Sequence, residues 1–250
     1  FDDGNPCLVA RVRHFFKQRA FQNLQPDEQP DGEQENAEQK RHPPAPTGKI
    51  RVRQPEAKQQ EQEQEQRASV LQSNADQIFR SPADYVAGNP KGDVTMVEFF
   101  DYNCGWCKKG FSEVVNLIEK DKNLRVVLKE FPIFGGDSDY AAMAALAAKK
   151  QNKYWELHQA LFSHEGKVTK ATVDEIAAKL GIDVAKLKED MKDPAIAKEL
   201  ADTHALAQSL AINGTPAFII DDKVSPGYLP ADGLTAMIEQ VRAGGGCKLC

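Results

Sequence analysis

Two cysteines, Cys104 and Cys107, are separated by Gly105 and Trp106 near the middle of this 250-residue chain. Thiols at this spacing are close enough to bridge, so the pair can cycle between a dithiol and a disulfide. The same Cys-x-x-Cys spacing also serves zinc and iron, and it can form a purely structural disulfide. The secondary structure predicted around the pair indicates which of these chemistries applies.

The cysteine pair lies where a strand is predicted to turn into a helix. Val94-Thr95-Met96-Val97 is typical of a buried strand, and the range 111–118 carries apolar residues at the spacing of an amphipathic helix. The first turn of a helix has unpaired N–H groups and the positive end of the helix dipole, and both stabilise an anion. We therefore expect Cys104 to be a solvent-facing thiolate of lowered pKa, with Cys107 one turn deeper. This context favours a redox-active pair over a metal site or an inert disulfide.

A second motif carries Thr215 and Pro216 immediately before the apolar run Ala217-Phe218-Ile219-Ile220. Proline is tolerated at the beginning of a strand, and on the residues alone its bond would be expected to be trans. Together with the segment Glu98 to Lys108, this motif resembles the DsbA-type branch of the thioredoxin superfamily, the periplasmic thiol–disulfide oxidoreductases. The resemblance covers about residues 76–243, and it rests on both motifs in this order with a helical segment between them.

The resemblance implies an α/β structure, a thioredoxin fold interrupted by a helical insertion. It implies that Cys104 and Cys107 exchange disulfides with protein substrates, with Gly105 and Trp106 as supporting residues between them. It also implies a cis Thr215–Pro216 bond that faces the cysteines and presents its backbone to a bound substrate. No cofactor and no metal are expected.

The residues between the cysteines bear on the direction of the reaction. Strongly oxidising members of the family have a histidine there and a thiolate pKa near 3.5, whereas thioredoxin lies near 7. Here Gly105-Trp106 lacks the histidine, although Lys108 and Lys109 add positive charge nearby. We expect a Cys104 pKa on the order of 4 to 6 and a less oxidising pair. Isomerase and reductase activities stay open as alternatives, because threonine before the proline also occurs in isomerase-like relatives.

Glu98 is a carboxylate inside the apolar strand, six residues before Cys104. An unpaired charge at such a position is costly. Proteins of the DsbA type hold a buried acid at this spacing beneath the active site, so the resemblance implies that Glu98 relays the proton of Cys107. The alternative is a carboxylate near the sheet margin that pairs with a lysine such as Lys129. The sequence does not decide between the two.

Composition divides the chain into five parts. From Gln22 to about Arg67, Gln, Glu, Pro and Asp dominate, and such a segment cannot bury enough apolar surface to offset its ordering entropy. A coiled coil is disfavoured there, because the Glu/Gln run lacks apolar a and d positions. The predicted parts are a low-complexity, disordered segment (1–67), an N-terminal helix and lead-in (68–92), a thioredoxin-like domain (93–135 and 212–243), a helical insertion (136–211) and a Gly-Cys tail (244–250).

Cys247 and Cys250 form a second Cys-x-x-Cys motif, which follows three glycines. We interpret it first as an inert disulfide or a frayed tail. A secondary redox pair that passes electrons to Cys104 and a site for a soft metal are the alternatives.

Composition also limits the classes of function. The net charge of −5 gives no electrostatic reason to expect nucleic acid or an anionic membrane surface as a partner. No apolar run approaches the roughly 18 residues that span a bilayer. Residues 11–17 are basic and aromatic and do not form a secretory signal. The cysteines are odd in number and too few for a disulfide scaffold, and Cys7 lacks a local partner.

Partners and location follow from the resemblance alone. It implies unfolded or reduced exported proteins as substrates, a redox-recycling partner with a membrane protein as one candidate, and a periplasmic or otherwise extracytoplasmic location. Two rival functions come from other classes. A metal carrier needs the two cysteine pairs to converge in space, and a non-catalytic thioredoxin-fold chaperone needs neither active-site cysteine.

Overall fold

The computed structural model describes residues 54–250, with side chains for residue 59 and for residues 61–250. A mixed sheet has helices on both faces, and a helical segment is inserted between its third and fourth strands. The strands are β1 (Tyr85–Gly88), β2 (Val94–Phe100), β3 (Leu124–Glu130), β4 (Ala217–Ile220) and β5 (Lys223–Ser225). The helices are α1 (Gln54–Ser73), α2 (Ala75–Phe79), α3 (Gly105–Lys120), α4 (Gly136–Ala148), α5 (Tyr154–Ser163), α6 (Lys170–Lys179), α7 (Val184–Asp190), α8 (Pro194–Ser209) and α9 (Ala231–Ala243), and Lys149–Gln151 form a 3₁₀ turn.

The central strand β2 determines where the functional residues meet. The strands lie in the order β1-β3-β2-β4-β5, with β2 and β3 parallel and the other neighbouring strands antiparallel. Phe100 pairs with Glu130 of β3, and Phe99 pairs with Ala217 of β4. The segment after Phe100 and the residues just before Ala217 therefore lie at the same end of the sheet.

Residues of β2 alternate between two hydrophobic cores. Met96 and Phe100 belong to the core formed with α3, α9 and the inserted helices, whereas Val97 and Phe99 belong to the core formed with α2 and the end of α8. Successive side chains of a strand point to opposite faces, so an apolar run of this kind is buried on both sides. Burial on both faces keeps β2, and with it the turn that follows Phe100, in place.

Capping residues define the helices of the insertion. The Asp183 side chain accepts a hydrogen bond from a backbone N–H at the start of α7, and Asp193 does the same at the start of α8, where Pro194 follows. Thr169 caps α6 in the same way. The helices α4 to α8 connect β3 to β4, which confirms the α/β class with a helical insertion.

Helix α1 extends into the segment that is predicted to be disordered, and that prediction is wrong for residues 59–67. Most residues of α1 are Gln, Glu, Lys and Ala, which have high helix propensity, and the Gln59 amide donates to Glu63 one turn further on (3.4 Å). The last turn is held by Leu71, which is buried in the core beside α2. Residues 1–53 of the predicted segment, which include Cys7, lie outside the described residues.

Strand β1 is not indicated by the sequence. The range 81–93 is rich in turn residues, and the strand within it has only four residues. Tyr85 pairs with Leu128 of β3, so β1 covers the open edge of the parallel pair. Its pairing depends on β3, which lies far along the chain, and local pattern does not reveal it.

Candidate active site

Cys104 is the N-cap residue of α3, in the turn that follows β2. Its backbone is extended (φ −75°, ψ 118°), and its sulfur accepts a hydrogen bond from the backbone N–H of Cys107 (3.3 Å). The first turn of α3 contains no acidic residue, so no carboxylate there competes with the helix dipole at the sulfur. The predicted position of the pair, between a strand and a helix, is confirmed.

The pKa of the Cys104 thiol is lowered to about 6. The main cause is a hydrogen bond from the Cys107 side chain, and the Thr215 side chain and the backbone N–H groups of Cys107 and Trp106 act in the same direction. Burial opposes them, because a charge loses hydration there. The pKa lies at the upper end of the expected range, and Cys104 is mostly thiolate at neutral pH.

Cys107 lies one turn further into the protein and is 1% exposed. Burial raises its pKa far above the ordinary value, and the hydrogen bond to Cys104 and the negative charges of Cys104 and Glu98 raise it further. Both cysteines are free thiols in this structure. The pair therefore combines one reactive thiolate with one thiol that stays protonated, the division of roles that thiol–disulfide exchange requires.

The Thr215–Pro216 bond is cis, as the resemblance implies. In its protonated form, the Cys104 thiol donates a hydrogen bond to the carbonyl oxygen of Thr215 (3.2 Å). The Thr215 hydroxyl is buried and makes no hydrogen bond in this structure, yet the side chain is near enough to favour the Cys104 thiolate. Thr215 thus places an unused donor beside the reactive sulfur.

Cys104 is less accessible than the sequence predicts. Only 3% of its surface is exposed, so the prediction of a solvent-facing thiolate is wrong. The reason is that the Thr215 carbonyl lies against the sulfur, a contact made across the end of the sheet. Gly105 is exposed, and Trp106 is 56% exposed. A substrate must displace the Thr215 contact or approach over Gly105 to reach the sulfur.

Trp106 belongs to an exposed aromatic group beside the cysteines. Its ring centroid lies 5.2 Å from that of Tyr228, and Lys109 Nζ lies 4.8 Å from the first ring and 5.0 Å from the second. The Tyr228 hydroxyl donates to Glu113 (2.7 Å), which joins the loop before α9 to α3. Neither Tyr228 nor Glu113 was predicted, because they are 115 residues apart and belong to no motif.

Glu98 is buried on the face of β2 that carries the main core, with 5% of its surface exposed. Burial, followed by the negative charge of Cys104, raises its pKa to about 8. The alternative of a pair with Lys129 is wrong. Lys129 forms an ion pair with Asp84, and it lies opposite Phe99, so its side chain points to the other face of the sheet.

A second buried carboxyl group, Glu130, lies at the end of β3. The hydroxyls of Tyr102 (2.8 Å) and Tyr154 (2.9 Å) donate to its Oε1, and Oε2 has no hydrogen-bonding partner. Burial raises the pKa of Glu130 well above its ordinary value. Nδ1 of His158 lies 3.0 Å from the Tyr102 hydroxyl, and burial lowers the pKa of His158 to about 3. His158 is therefore neutral at pH 7, and these hydrogen bonds join the Cys104 turn to α5.

Cys247 and Cys250 form a disulfide in a tail that is docked onto the sheet. Oδ1 of Asp221, in the turn between β4 and β5, accepts hydrogen bonds from the backbone N–H groups of Lys248 and Leu249 (both 2.8 Å). The disulfide closes the loop that holds these two N–H groups together. A structural role is thus consistent with the first interpretation of this motif.

The tail disulfide lies far from Cys104. The sulfur of Cys250 is 3.9 Å from the carbonyl oxygen of Thr95, near the beginning of β2, and Cys104 follows the other end. The strand rises about 16 Å between Thr95 and Phe100. The two cysteine pairs do not converge, so a metal site shared by both is not formed. Residues 54–250 contain no group of three or more His, Cys, Asp or Glu that could hold a metal ion.

Comparisons with known proteins agree with this geometry. Residues 95–239 match the model of a family described as DSBA-like thioredoxin domain. A thioredoxin-like oxidoreductase from Silicibacter pomeroyi DSS-3 is 43% identical, with a TM-score of 0.66, over 67% of this chain and 97% of that one. Disulfide bond formation protein D of Bacillus subtilis is 27% identical over 167 residues, which are 62% of this chain and 75% of that protein. These matches confirm the thioredoxin fold.

Some relatives are much longer than the matched region. Na(+)/H(+) antiporter NhaA 1 of Salinispora arenicola is 29% identical over 163 residues, which are 64% of this chain and 25% of the antiporter. The chain thus spans about a quarter of the length of the antiporters that it matches. Among the helices within 54–250, none has both the length and the apolar character needed to cross a membrane.

Proposed function

The chain belongs to the family of DSBA-like thioredoxin domains, and on this premise we propose that it exchanges disulfide bonds with protein substrates through Cys104 and Cys107. The observation that carries the proposal is the contrast between the two thiols. Cys104 has a pKa of about 6 at a helix N-terminus, whereas the pKa of the buried Cys107 is raised. Thr215 lies against the reactive sulfur, where its backbone can align a bound polypeptide.

In the oxidising direction, the reaction begins from the Cys104–Cys107 disulfide. A substrate thiolate attacks the sulfur of Cys104, so that a bond forms between these two sulfurs and the bond to Cys107 breaks. The pKa of Cys107 is high, so this sulfur needs a proton as it leaves. Glu98, with a pKa of about 8, is protonated at neutral pH and is the proposed source of that proton.

The second step releases the substrate. A second substrate thiolate attacks the substrate sulfur of the mixed disulfide, a disulfide forms within the substrate, and Cys104 leaves as a thiolate. Because a thiol of lower pKa leaves faster, the groups that lower the Cys104 pKa accelerate this step. Two electrons pass from the substrate dithiol to the protein, which ends with the Cys104 thiolate and the Cys107 thiol.

Oxidase, reductase and isomerase activities share this chemistry and differ in how strongly the reduced pair is stabilised. A Cys104 pKa of about 6 lies between those of the strongest oxidants and of thioredoxin. We therefore expect an oxidant of intermediate strength. The exposed Trp106 next to the sulfur offers an apolar surface to an unfolded polypeptide.

Three assays with the purified protein separate these activities: oxidative refolding of reduced ribonuclease, reactivation of scrambled ribonuclease and reduction of insulin. Refolding of reduced ribonuclease is expected to be accelerated most, and Cys104→Ser should abolish the acceleration. If the Cys104→Ser/Cys107→Ser variant were as active as the wild type, the proposal would be overturned in favour of a non-catalytic chaperone.

The proposed substrates are reduced or unfolded exported proteins, at an extracytoplasmic location. The family and the relative named for disulfide bond formation support this proposal. Each oxidation leaves Cys104 and Cys107 reduced, so a recycling partner must accept two electrons. Cell fractionation with thiol trapping tests the location. The chain is expected outside the cytoplasm with the pair oxidised, and a reduced pair in the cytoplasmic fraction would contradict it.

A further inference from the structure

The carboxylate of Asp101, three residues before Cys104, is 1% exposed and accepts four hydrogen bonds. Oδ1 accepts from the backbone N–H of Asn103 and from the hydroxyl of Ser138 (both 2.7 Å). Oδ2 accepts from the backbone N–H groups of Ile133 (2.7 Å) and Phe134 (3.3 Å). A buried carboxylate with this set of donors is held in a single orientation.

Asp101 is the anchor of the loop between β3 and α4. The loop begins after Phe131, whose N–H donates to the Phe100 carbonyl (2.9 Å), and its next residue, Pro132, has no N–H. In the described part of the chain, the N–H groups of Ile133 and Phe134 donate to Asp101 and to no other group. Without these two bonds, the backbone of the loop would be free to move.

The anchored loop carries two exposed apolar side chains. Ile133 is 36% exposed and Phe134 is 59% exposed, and with Trp106 they are the exposed large hydrophobic residues of the described chain. All three lie at the end of the sheet where Cys104 lies, because β2 and β3 are parallel. Exposed apolar side chains grouped around a reactive centre are typical of a surface that binds another polypeptide.

We propose that Asp101 is a positioning residue, which holds Ile133 and Phe134 so that they contact an apolar segment of the polypeptide whose cysteine reacts at Cys104. The proposal rests on the proposed function, since it assigns a role in binding the same substrates. Trp106 on α3 and the loop between β3 and α4 then provide two separate apolar contacts for one substrate chain. The partner that binds to Trp106, Ile133 and Phe134 is an unfolded polypeptide, because such a chain exposes apolar side chains next to its cysteines.

The test compares two substrates in single-turnover reactions of the oxidised protein. One is a synthetic peptide with two cysteines flanked by apolar residues, and the other is dithiothreitol, which is too small to reach the loop. The variant Asp101→Asn replaces one acceptor oxygen by an NH₂ group, which cannot accept a hydrogen bond, so at least one backbone N–H among the four donors loses its acceptor and the anchor is weakened. We expect its half-saturating peptide concentration to rise about tenfold, with the maximal rate and the rate with dithiothreitol within about twofold of the wild type.

A double-mutant cycle connects Asp101 to the loop. The variant Ile133→Ser/Phe134→Ser should show the same weaker peptide binding, and adding Asp101→Asn to it should produce no further loss. A full additional loss in this background would overturn the proposal. So would an equal fall in the rate with dithiothreitol, because Asp101 would then act on the cysteines or on the fold. A wild type that oxidises neither substrate would instead refute the proposed function.

Two further variants control for charge and for folding. Asp137→Asn removes a carboxylate in the first turn of α4 that pairs with Lys167 and accepts no hydrogen bond from Ile133 or Phe134, and this variant should bind the peptide as the wild type does. Ser138→Ala removes one of the four donors to Asp101 and should raise the half-saturating peptide concentration by about twofold to threefold. If Asp101→Asn does not fold, unchanged peptide binding in Ser138→Ala and in Ile133→Ser/Phe134→Ser would overturn the proposal.

Discussion

Replacing Cys107 tests what keeps Cys104 ionised. The Cys107 side chain is the largest influence that lowers the Cys104 pKa, and the Thr215 side chain and the backbone N–H groups of the first turn of α3 contribute less. In Cys107→Ala the main contribution is lost and the smaller ones remain. We therefore expect the Cys104 pKa to rise from about 6 to a value still below that of a free thiol. Cys107→Ser, which keeps a hydroxyl donor, should raise the pKa less.

The size of the effect depends on two opposing factors. At pH 7 a thiol with a pKa of about 6 is roughly 90% thiolate, and one with a pKa of about 8 is roughly 10% thiolate. The loss of thiolate is thus about tenfold. Nucleophilicity rises with pKa, with a Brønsted coefficient of about 0.4–0.5, so each thiolate becomes about sixfold to tenfold more reactive. The two factors nearly cancel, so the alkylation rates of the variants at pH 7 should be similar. Only the pH midpoint of alkylation distinguishes the variants.

The assay is alkylation of Cys104 by iodoacetamide across the pH range, followed by mass spectrometry of the peptide that contains this cysteine. The expected order of midpoints is wild type, then Cys107→Ser, then Cys107→Ala. Identical midpoints in the wild type and Cys107→Ala would refute the assignment of Cys107 as the main influence. A wild-type midpoint above pH 8 would refute the argument for a stabilised thiolate as a whole.

Three further predictions concern the surroundings of the reactive sulfur and the tail. Thr215→Val removes the unused hydroxyl beside Cys104 while keeping a branched side chain, and alkylation should show a raised Cys104 pKa. In Glu98→Gln, formation of the mixed disulfide should lose its dependence on pH near 8. The folded-state pKa of Glu98 is raised from 4.5 to about 8, so the wild type should lose stability relative to Glu98→Gln as the pH rises through this window. Urea titrations measure this change, and a difference in the free energy of unfolding that stays constant with pH would contradict the raised pKa of Glu98. Cys247→Ser/Cys250→Ser should lower the free energy of unfolding by about 2 kcal/mol with unchanged peptide oxidation, and a slower oxidation would instead indicate a redox role for the tail.

The reactive turn could be predicted because its signals are local. The apolar run of β2, Cys104 at its end and the amphipathic pattern of α3 all lie within one short stretch, and the structure has them in that arrangement. The cis Thr215–Pro216 bond is different. The residues alone favour a trans bond, and only the family resemblance indicated the observed isomer.

The wrong predictions concern contacts between distant parts of the chain. Cys104 is buried by Thr215, 111 residues away, and no local pattern indicates how closely the two segments approach. Glu98 is an acid and Lys129 is a base, and both are buried, yet the register of β2 and β3 turns them to opposite faces. Asp101 was missed because its four donors come from three separate segments.

The helix α1 shows a conflict between two kinds of local evidence. Its composition is that of a chain without a core, and its residues also have high helix propensity. Propensity alone does not stabilise an isolated helix of this length strongly. Burial of Leu71 supplies the tertiary contact at the end of the helix, and this contact could not be read from the Glu/Gln run.

The most direct test of the central claim is to trap the mixed disulfide. A Cys107→Ser variant cannot resolve the intermediate, so after reaction with a peptide whose cysteine is activated as a disulfide, the peptide should remain bound to the protein through one bond. Mass spectrometry of the digested complex is predicted to find that bond at Cys104. A bond predominantly at Cys247 or Cys250, or no covalent complex at all, would contradict the account.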